Sequence, residues 1–327
     1  MSGANSFKFV LLPPQSDITR DWGKRLAEQV PEVRVIVAED ANTAAREIVD
    51  AEAAFGWLGN DLLSNAKKLR WLQAPQAAPA AGYYYPELIA HPVEVTNFRG
   101  IFNDHIGAHI LAFVLAFARG LHLYLPRQLR REWKPEAGEA SGVLHLPETT
   151  ALIVGVGGIG AETARLLDAF GVQVIGVDAR RKDAPPGVRK LDGPDALDSL
   201  LPHADFVILT VPHTPQTEGF MDRGKFQRMK RTAFFINIGR GRTTRLDDLV
   251  AALRAGEIAG AALDVYETEP LPAEHPLWTL PNVLMTPHTA GHGPYLDDRR
   301  LEVLLDNARR FVAGQPLRNV VDKLHWF

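Results

Sequence analysis

The sequence predicts an α/β protein of two domains, the larger of which is built on a doubly wound parallel sheet. The first observation is the length, because 327 residues exceed what one hydrophobic core usually organises. The second is the alternation of short apolar runs with amphipathic stretches, which is typical of parallel sheets with crossover helices. The third is the segment Thr149–Asp178, in which strand, glycine-rich turn, helix, strand and terminal acid follow one another. These observations place the doubly wound domain at 103–296 and a smaller, flavodoxin-like domain at 1–102 and 297–327.

The first hundred residues carry five β-like runs separated by helix-like stretches, which predicts a small parallel sheet. The runs are Phe7–Leu12, Val33–Val37, Ala53–Leu58, Leu69–Leu72 and Val93–Asn97, and the helices include Ile18–Gln29 and Thr43–Ala51. The segment Gln73–Pro86 interrupts the alternation with three prolines and a run of three tyrosines. It follows a strand, where open α/β sheets bind ligands. Its tyrosines fit a pocket lining or surface packing, and Trp57 fits a pocket wall or a core position.

A long helix is predicted to begin at Asn103, a favourable cap residue, and to end at Arg119. It is apolar nearly all round, so we expect it to be buried between domains or at a subunit interface. A second, exposed helix and a linker are expected over Tyr124–Gly142. His105 and His109 lie four residues apart on the long helix and could suggest zinc. The segment lacks the glutamate of a zincin motif and the chain has no cysteine, which favours buried or interface polar contacts instead.

The glycine-rich turn of the central unit has the spacing of a dinucleotide-binding turn. Gly155 permits the tight turn, Gly157 lets the backbone approach a pyrophosphate, and Gly160 lets the helix pack closely on the strand. Gly158 and Ile159 begin the helix, whose N-terminus offers free N–H groups to phosphates. Strand, helix and second strand around the turn make this a much stronger signal than isolated glycines.

An acid ends the second strand of this unit. Asp178 follows Gly160 by 18 residues, where a carboxylate can accept from both hydroxyls of an adenosine ribose. Because it should repel a 2′-phosphate, Asp178 favours NAD(H) as the cofactor. Arg180 and Arg181 follow closely enough to bind that phosphate if Asp178 turns away, so NADP(H) stays open.

The alternation continues to the end of the doubly wound domain, for six or seven parallel strands in all. The later strands are Phe206–Val211, Ala233–Ile238, Gly260–Val265 and Val283–Thr286, and the helices between them include Ala196–Leu201 and Leu246–Ala255. A last long helix is predicted over Tyr295–Ala313. A chain that leaves its first domain through one helix and ends on another is expected to return to that first domain.

Polar clusters follow three successive late strands, and parallel strands bring such clusters to one edge of the sheet. The clusters are NIGRG at 237–241, DVYETEP at 264–270 and TPHTAG at 286–291. Arg240 can bind a carboxylate through two hydrogen bonds and polarise a keto oxygen. His288 can donate a proton, and Glu269 can orient its imidazole and favour the charged acid form. The trio suits reduction of a 2-keto acid; Glu267 and His292 are the alternative carboxylate and imidazole.

With these motifs the chain resembles the D-isomer-specific 2-hydroxyacid dehydrogenases, a family that includes glyoxylate/hydroxypyruvate reductases and phosphoglycerate dehydrogenase. The resemblance runs through nearly the whole chain and is densest in VGVGGIG (154–160), TVPHTPQT (210–217), NIGRG, ALDVYETEP (262–270) and TPHTAG. It implies catalysis by Arg240, Glu269 and His288, a cleft between the domains and a homodimer built on the cofactor domain. It further implies cofactor contacts by Thr210, Pro212, Thr217, Ile238 and Asp264. The substrate contacts expected on this basis are Trp57, Gln76, Ala77 and Arg240.

The chain departs from the family pattern at four positions. Gln76 and Ala78 stand where the substrate loop often has glycines. Ala108 stands where a glutamate is frequent, and Arg245 where an aspartate is usual after the GRG turn. None of these changes affects the catalytic trio.

The net charge and the lengths of the apolar runs argue against nucleic-acid and membrane partners. A net charge of −3 gives no electrostatic case for nucleic acid or an anionic membrane. The longest apolar run, Ile110–Ala118, is far below the ~20 residues of a membrane span, and the first residues lack a signal-peptide pattern. We therefore expect a cytoplasmic homodimer that reduces small 2-keto acids such as glyoxylate or hydroxypyruvate to D-2-hydroxy acids, without a metal. The alternatives are a non-catalytic, NADH-binding sensor like the corepressors of this fold, and phosphoglycerate dehydrogenase, which the end of the chain at Phe327 disfavours.

Overall fold

The structure is a computed structural model that describes residues 6–77, 82–136 and 142–324. The chain divides into two compact units, one formed by Phe102–Gly293 and the other by the segments before and after it. Each unit contains one parallel sheet with helices packed on it. The predicted α/β fold class is confirmed, whereas the assignment of one unit to the substrate and the other to the cofactor stays a prediction.

The first unit has a five-stranded parallel sheet in the order β2-β1-β3-β4-β5. Its strands are β1 (Phe7–Leu11), β2 (Val33–Val37), β3 (Ala53–Phe55), β4 (Trp71–Gln73) and β5 (Glu94–Thr96). Its helices before residue 101 are α1 (Asp17–Gln29), α2 (Ala41–Glu47), α3 (Asn60–Asn65) and α4 (Pro86–Ala90). Ser16 begins α1 with a capping box, in which its hydroxyl accepts from the Thr19 amide at 3.2 Å.

The second unit has a seven-stranded parallel sheet in the order β12-β11-β10-β9-β6-β7-β8. The strands are β6 (Thr150–Val154), β7 (Gln173–Val177), β8 (Lys190–Asp192), β9 (Phe206–Leu209), β10 (Phe234–Asn237), β11 (Gly260–Leu263) and β12 (Val283–Met285). The helices are α5 (Asn103–Ala118), α6 (Leu121–Leu129), α7 (Gly158–Ala169), α8 (Leu197–Leu200), α9 (Arg223–Arg228) and α10 (Leu246–Ala255). The strand order reverses between β6 and β9, which is where doubly wound sheets bind ligands.

Both faces of the larger sheet are buried, which explains the continuous apolar runs of its strands. Leu152 and Val154 of β6 belong to the core beneath α8, α9 and α10. Ala151 and Ile153 point the other way, into the core beneath α5 and α7. Each fully buried leucine or isoleucine contributes roughly 1.5–3 kcal/mol, so the strands that carry the site's loops are anchored on two sides.

The last helix, α11 (Leu296–Val312), belongs to the first unit, as the order of the elements predicts. Its Phe311 ring lies 4.6 Å from that of Phe7 and 5.7 Å from that of Trp71. The Arg70 guanidinium lies 4.7 Å above the same Phe311 ring. These contacts hold α11 against the first sheet.

The long apolar helix α5 packs on α7 inside the second unit. Gly107 is the point of closest approach, since a Cβ there would lie 3.1 Å from Glu162 Cγ and 3.2 Å from Leu166 Cδ1. Across the described residues, no single helix is long and apolar enough to cross a membrane. Only α5 and α6 taken together reach that length and composition, and they are bent by 76°.

The helix and linker expected over Tyr124–Gly142 correspond to α6, which begins at Leu121 and ends at Leu129, and to the irregular chain described after it. Arg131 follows in the left-handed region, with φ 59°, where a helix cannot continue. Strand β8 escaped prediction because its one apolar residue, Leu191, stands between two charged ones.

The aromatic residues of the first unit are also placed differently from the expectation. Trp57 is 46% exposed, so a core position for it is wrong. Its ring meets that of Tyr83 edge-on at 5.0 Å, and Tyr83 itself is only 2% exposed. The Tyr83 and Tyr85 hydroxyls donate to backbone carbonyls of Gly56 and Leu58, both at 2.9 Å. Tyr83 is therefore a packing residue beneath an exposed tryptophan, not a surface residue.

Candidate active site

The glycine-rich turn leaves the N-terminus of α7 open. Gly155 has φ 95°, and a Cβ there would lie 2.9 Å from the Val211 amide nitrogen. A Cβ on Gly160 would lie 2.1 Å from the carbonyl oxygen of Gly155, so only glycine lets the helix pack against the turn. At Gly157, by contrast, a Cβ would meet nothing within 4 Å. Gly155 and Gly160 thus allow the tight turn, and the space beside Gly157 is open, which fits a dinucleotide pyrophosphate.

The loop after β9 supports this turn. The Thr210 hydroxyl donates to the carbonyl oxygen of Gly155. The Thr217 hydroxyl donates to the Pro212 carbonyl at 2.8 Å and accepts from the Thr214 amide at 2.7 Å. These bonds give Thr210 and Thr217 a structural role, while contacts of Thr210, Pro212 and Thr217 with a cofactor stay predictions.

The Asp178 carboxylate, directly after β7, is engaged by backbone amides. Its Oδ2 accepts from Val156 N at 2.7 Å, and its Oδ1 accepts from Arg180 N and Arg181 N, both at 2.8 Å. Asp178 therefore ties the glycine-rich turn to the loop after β7. The Arg181 side chain in that loop is exposed.

Arg240 stands on a turn that a buried asparagine holds in place. Asn237, the last residue of β10, is fully buried. Its Oδ1 accepts from Gly239 N at 3.0 Å, and its Nδ2 donates to Arg240 O at 3.2 Å and to Thr244 Oγ1 at 3.0 Å. Burial lowers the pKa of the Arg240 guanidinium and the Glu269 carboxylate opposes this, so the two side chains interact electrostatically. The guanidinium nevertheless stays a cation at neutral pH, since arginine is not deprotonated in proteins.

The turns after β10 and β11 lie backbone to backbone. A Cβ on Gly241 would be 1.9 Å from both the carbonyl carbon and the carbonyl oxygen of Tyr266. The Tyr266 amide donates to Glu269 Oε1 at 2.9 Å, and its hydroxyl donates to Thr286 O at 3.0 Å. This packing places the arginine turn directly beside the loop of the catalytic glutamate candidate.

His288 and Glu269 form a hydrogen-bonded pair, with 2.7 Å between Nδ1 and Oε2. Because an ionised carboxylate only accepts, Nδ1 is the donor, and Nε2 is the other ring nitrogen, available for proton exchange. The His288 side chain is 52% exposed. Glu267 instead accepts from the Leu246 amide at 3.0 Å, at the start of α10. The structure thus pairs Glu269, not Glu267, with His288, and no described contact links His292 to the pair.

Asp264 organises the loop that carries His288. It is 1% exposed, and its Oδ1 accepts from the Thr286 hydroxyl at 2.6 Å and from Thr289 N at 2.8 Å. Its Oδ2 accepts from Ala290 N at 2.9 Å, and its carbonyl oxygen accepts from His288 N at 2.9 Å. His288 is held at φ 54°, in the left-handed region. Sequence reasoning gave Asp264 a cofactor contact, which stays a prediction, as does that of the buried Ile238.

The two histidines of α5 contact different residues. His109 Nε2 lies 3.0 Å from the Thr286 hydroxyl. The His105 ring packs against Gly293, where a Cβ would lie 2.3 Å from the ring. Within the described ranges, no group of three His, Asp or Glu side chains is arranged to hold a metal ion.

Sequence reasoning missed Asn237, Tyr266 and Thr286 as organising residues. Each of them lies at or just beyond the carboxyl end of one of three adjacent strands, inside a motif that was recognised for another residue. A polar residue at the carboxyl end of a strand was therefore a signal that could have identified all three. Arg245, which departs from the family pattern, donates from Nε to the Gly219 carbonyl at 3.3 Å and so braces the loop after β9.

The predicted substrate loop is described only as far as Ala77. The Ala77 carbonyl accepts from the Asn97 side chain at 2.9 Å. Ala78, like the rest of 78–81, lies outside the described residues. The substrate contacts expected of Trp57, Gln76 and Ala77 stay predictions.

The chain is similar to known proteins of one family. The family model for the NAD-binding domain of D-isomer-specific 2-hydroxyacid dehydrogenases matches residues 111–290. The chain is 32% identical over 300 residues to glyoxylate/hydroxypyruvate reductase B of Citrobacter koseri, with 90% of each protein covered. A D-isomer-specific 2-hydroxyacid dehydrogenase of Xanthobacter autotrophicus, solved with NADPH and MES, superposes with a TM-score of 0.83 at 28% identity, covering 98% of this chain and 100% of that one. An NADPH-dependent glyoxylate/hydroxypyruvate reductase of Sinorhizobium meliloti, solved with NADP and sulfate, gives 0.80 at 27%, with 98% and 100% covered.

Proposed function

This chain belongs to the D-isomer-specific 2-hydroxyacid dehydrogenase family, and from that premise we propose that it reduces glyoxylate and hydroxypyruvate to their D-2-hydroxy acids. It is an NAD(P)-dependent oxidoreductase of keto acids. The observation that carries the proposal for its site is the 2.7 Å pair of Glu269 and His288, beside the cationic Arg240. A cation for a carboxylate and a positioned acid for a carbonyl oxygen are the two groups that a 2-keto acid requires.

In this mechanism, His288 is the general acid. With Nδ1 committed to Glu269, Nε2 of the imidazolium gives its proton to the substrate oxygen as negative charge develops there. Glu269 keeps the ring in one orientation and offsets its positive charge. Because the Tyr266 amide holds the other oxygen of Glu269 at 2.9 Å, the carboxylate cannot rotate away. The nicotinamide, when bound, supplies the hydride.

Arg240 binds the substrate carboxylate. Its planar guanidinium can donate two parallel hydrogen bonds to a carboxylate, which fixes the keto carbon relative to His288. One of its donors, Nη1, is used internally, at 2.6 Å from the Gly239 carbonyl. That bond orients the guanidinium and leaves other N–H groups for the substrate.

We propose Trp57, Gln76 and Ala77 as further substrate contacts. Trp57 would contribute its exposed ring, and Gln76 and Ala77 the backbone of their loop. The described part of the loop, Gln73–Ala77, contains no arginine or lysine. A phosphate on the substrate would therefore find no cation within this part of the loop, with Arg99 the nearest candidate, which favours unphosphorylated acids over 3-phosphohydroxypyruvate.

Within the nicotinamide class, we propose that NADP(H) is preferred, although the sequence favours NAD(H). A carboxylate offers about four acceptor positions, and backbone amides take three of those on Asp178. The one that remains cannot accept from both ribose hydroxyls. The exposed Arg181 and Lys182 beside it supply positive charge suited to a 2′-phosphate. The two solved relatives described above contain NADPH or NADP.

We also propose a homodimer formed through α6 and the residues after it. Leu121, Leu125, Leu129 and Trp133 recur every four residues and are 44%, 52%, 86% and 97% exposed. Three of these side chains lie on α6 and Trp133 lies beyond its end; so much exposed apolar surface in one segment is unfavourable in water and is typical of an interface. The predicted cytoplasmic location and the absence of nucleic-acid and membrane partners stay predictions.

The proposed function is tested by His288→Ala and His288→Gln. Both should lower kcat for hydroxypyruvate by about 10²–10⁴-fold, the usual contribution of a general acid. The Kd of NADPH, measured by fluorescence titration, should change little. Near-normal turnover by His288→Ala would show that this site is not the catalytic one. Tight cofactor binding without turnover of any keto acid by the unaltered protein would favour the non-catalytic sensor instead.

A further inference from the structure

A chain of hydrogen bonds connects the middle of α5 to the loop that carries His288. His109 Nε2 lies 3.0 Å from Thr286 Oγ1, which lies 2.6 Å from Asp264 Oδ1. The three residues come from positions far apart in the sequence and meet inside the second unit. His109 does not take part in the mechanism described above.

The direction of each bond follows from the chemistry of the groups. An ionised Asp264 carboxylate can only accept, so the single hydroxyl proton of Thr286 points to it. Thr286 Oγ1 must then accept from His109, which fixes the proton on Nε2. The bond donated by His109 thus helps to hold the Thr286 hydroxyl in the orientation that donates to Asp264.

Asp264 in turn determines the shape of the loop around His288. Its carboxylate holds the amides of Thr289 and Ala290, at 2.8 and 2.9 Å, and its carbonyl holds the amide of His288. His288 sits at φ 54°, a conformation that persists only where the surroundings enforce it. A rotation of the Asp264 carboxylate would therefore release the two amides that follow His288 and loosen the loop that holds its ring against Glu269.

His109 is well placed to act as a fixed point for this network. Its ring meets Phe113 edge-on at 4.7 Å, with an interplanar angle of 88°. Its helix is locked against α7 by the close approach at Gly107. Burial lowers the pKa of His109 although Asp264 opposes this, which is consistent with a neutral ring that donates from one nitrogen.

We propose that His109 is a positioning residue for proton donation by His288, acting through Thr286 and Asp264. The inference rests on the proposed role of His288 as the general acid. It assigns to α5 a function in catalysis besides its packing role.

The test compares His109→Leu with His109→Gln. Leucine fills the space and donates nothing, whereas the glutamine amide nitrogen can reach the position of Nε2. We expect His109→Leu to lower kcat by about 10- to 100-fold, the effect of a small misplacement of the acid. KM for hydroxypyruvate and Kd for NADPH should stay within about twofold, and His109→Gln should recover most of kcat. His122→Leu is the matched control, because the His122 ring also packs edge-on against a phenylalanine, Phe117 at 5.1 Å, away from the site.

A double-mutant cycle tests the route. Thr286→Val removes the hydroxyl from the middle of the chain, so adding His109→Leu to it should lower kcat no further. Additive losses, equal kcat for the glutamine and leucine variants, or an unchanged kcat in His109→Leu would each overturn the inference. Should His109→Leu fail to fold, His109→Ala takes its place in the comparison with His109→Gln and in the cycle with Thr286→Val. His288→Ala is measured in parallel: if it keeps its rate, the proposed function fails, and if it loses its rate while His109→Leu does not, only this inference fails.

Discussion

Gly241→Ala tests whether the close contact between the two catalytic turns is needed for activity. The added Cβ would lie 1.9 Å from the carbonyl carbon and oxygen of Tyr266. Non-bonded carbon atoms prefer at least about 3.5 Å, so the turns must separate by roughly 1.5 Å. Tyr266 N holds Glu269, and Arg240 adjoins Gly241, so this movement separates the arginine from the imidazole and its carboxylate. A misplacement of about 1 Å can cost 10²-fold in rate.

We therefore expect kcat/KM for hydroxypyruvate to fall by at least about 100-fold in Gly241→Ala. Overpacking should also cost roughly 1–3 kcal/mol, which lowers Tm by about 2–4 °C per kcal/mol in a domain of this size. The assays are steady-state oxidation of NADPH and differential scanning calorimetry. Gly224→Ala, near the start of α9, is the control, because its Cβ would meet only Asp222 Oδ1, at 3.5 Å. A Gly241→Ala protein with normal kcat/KM and Tm would refute the argument that this contact sets the geometry of the site.

Four other predictions concern the charges of the site, its cofactor, the subunits and acid stability. Glu269→Gln should move the pH optimum of keto-acid reduction to the acid side, because the imidazolium loses its counter-ion; an unchanged pH–rate profile would argue against the pair. Replacing Arg181 and Lys182 by alanine should lower kcat/KM with NADPH by about 10- to 100-fold, as loss of charged hydrogen bonds to a phosphate implies, and should leave kcat/KM with NADH nearly unchanged. A tenfold preference of the unaltered enzyme for NADH would contradict the proposal. Leu125→Asp with Leu129→Asp should convert a dimer into monomers in analytical ultracentrifugation, and a monomeric unaltered protein would rule the interface out. Burial lowers the pKa of His122 from 6.5, so its neutral form stabilises the fold above pH 6.5 and this contribution is lost as the pH falls towards the lowered value. Urea unfolding from pH 7.5 to 5.5 should therefore show that the free energy of unfolding falls less in His122→Leu than in the unaltered protein, by up to about 1.4 kcal/mol per pH unit.

The parts of the fold that sequence predicts well are those fixed by local sterics and by the period of apolar residues. The glycine-rich turn is predictable from the sequence, because glycine is the only residue type that suits Gly155, Gly157 and Gly160 together. Strand β2 and helix α10 were predicted with their observed bounds, since each is a periodic run with clear end signals. The edge strand β8 and the short helices α3, α4 and α9 lack such a signal.

The parts that sequence predicts poorly depend on contacts between distant segments. The three amides that bond to the Asp178 carboxylate are set by the folded loops around it, and its residue type does not indicate them. The exposure of Trp57 depends on how Tyr83 fills the space beneath it. His109 and Thr286 are 177 residues apart, and nothing in either local sequence indicates that they meet. Such contacts set the orientation of the catalytic groups, while the motifs set only their identity.

The central claim is that Arg240, Glu269 and His288 reduce the keto group of a small 2-keto acid. The most direct measurement is to supply the purified enzyme with NADPH and hydroxypyruvate, follow the loss of NADPH absorbance, and resolve the product by chiral chromatography. We expect one D-glycerate for each NADPH consumed, and a kcat lowered by about 10²–10⁴-fold in His288→Ala. L-Glycerate as the product, or no consumption of NADPH or NADH with any 2-keto acid, would contradict it.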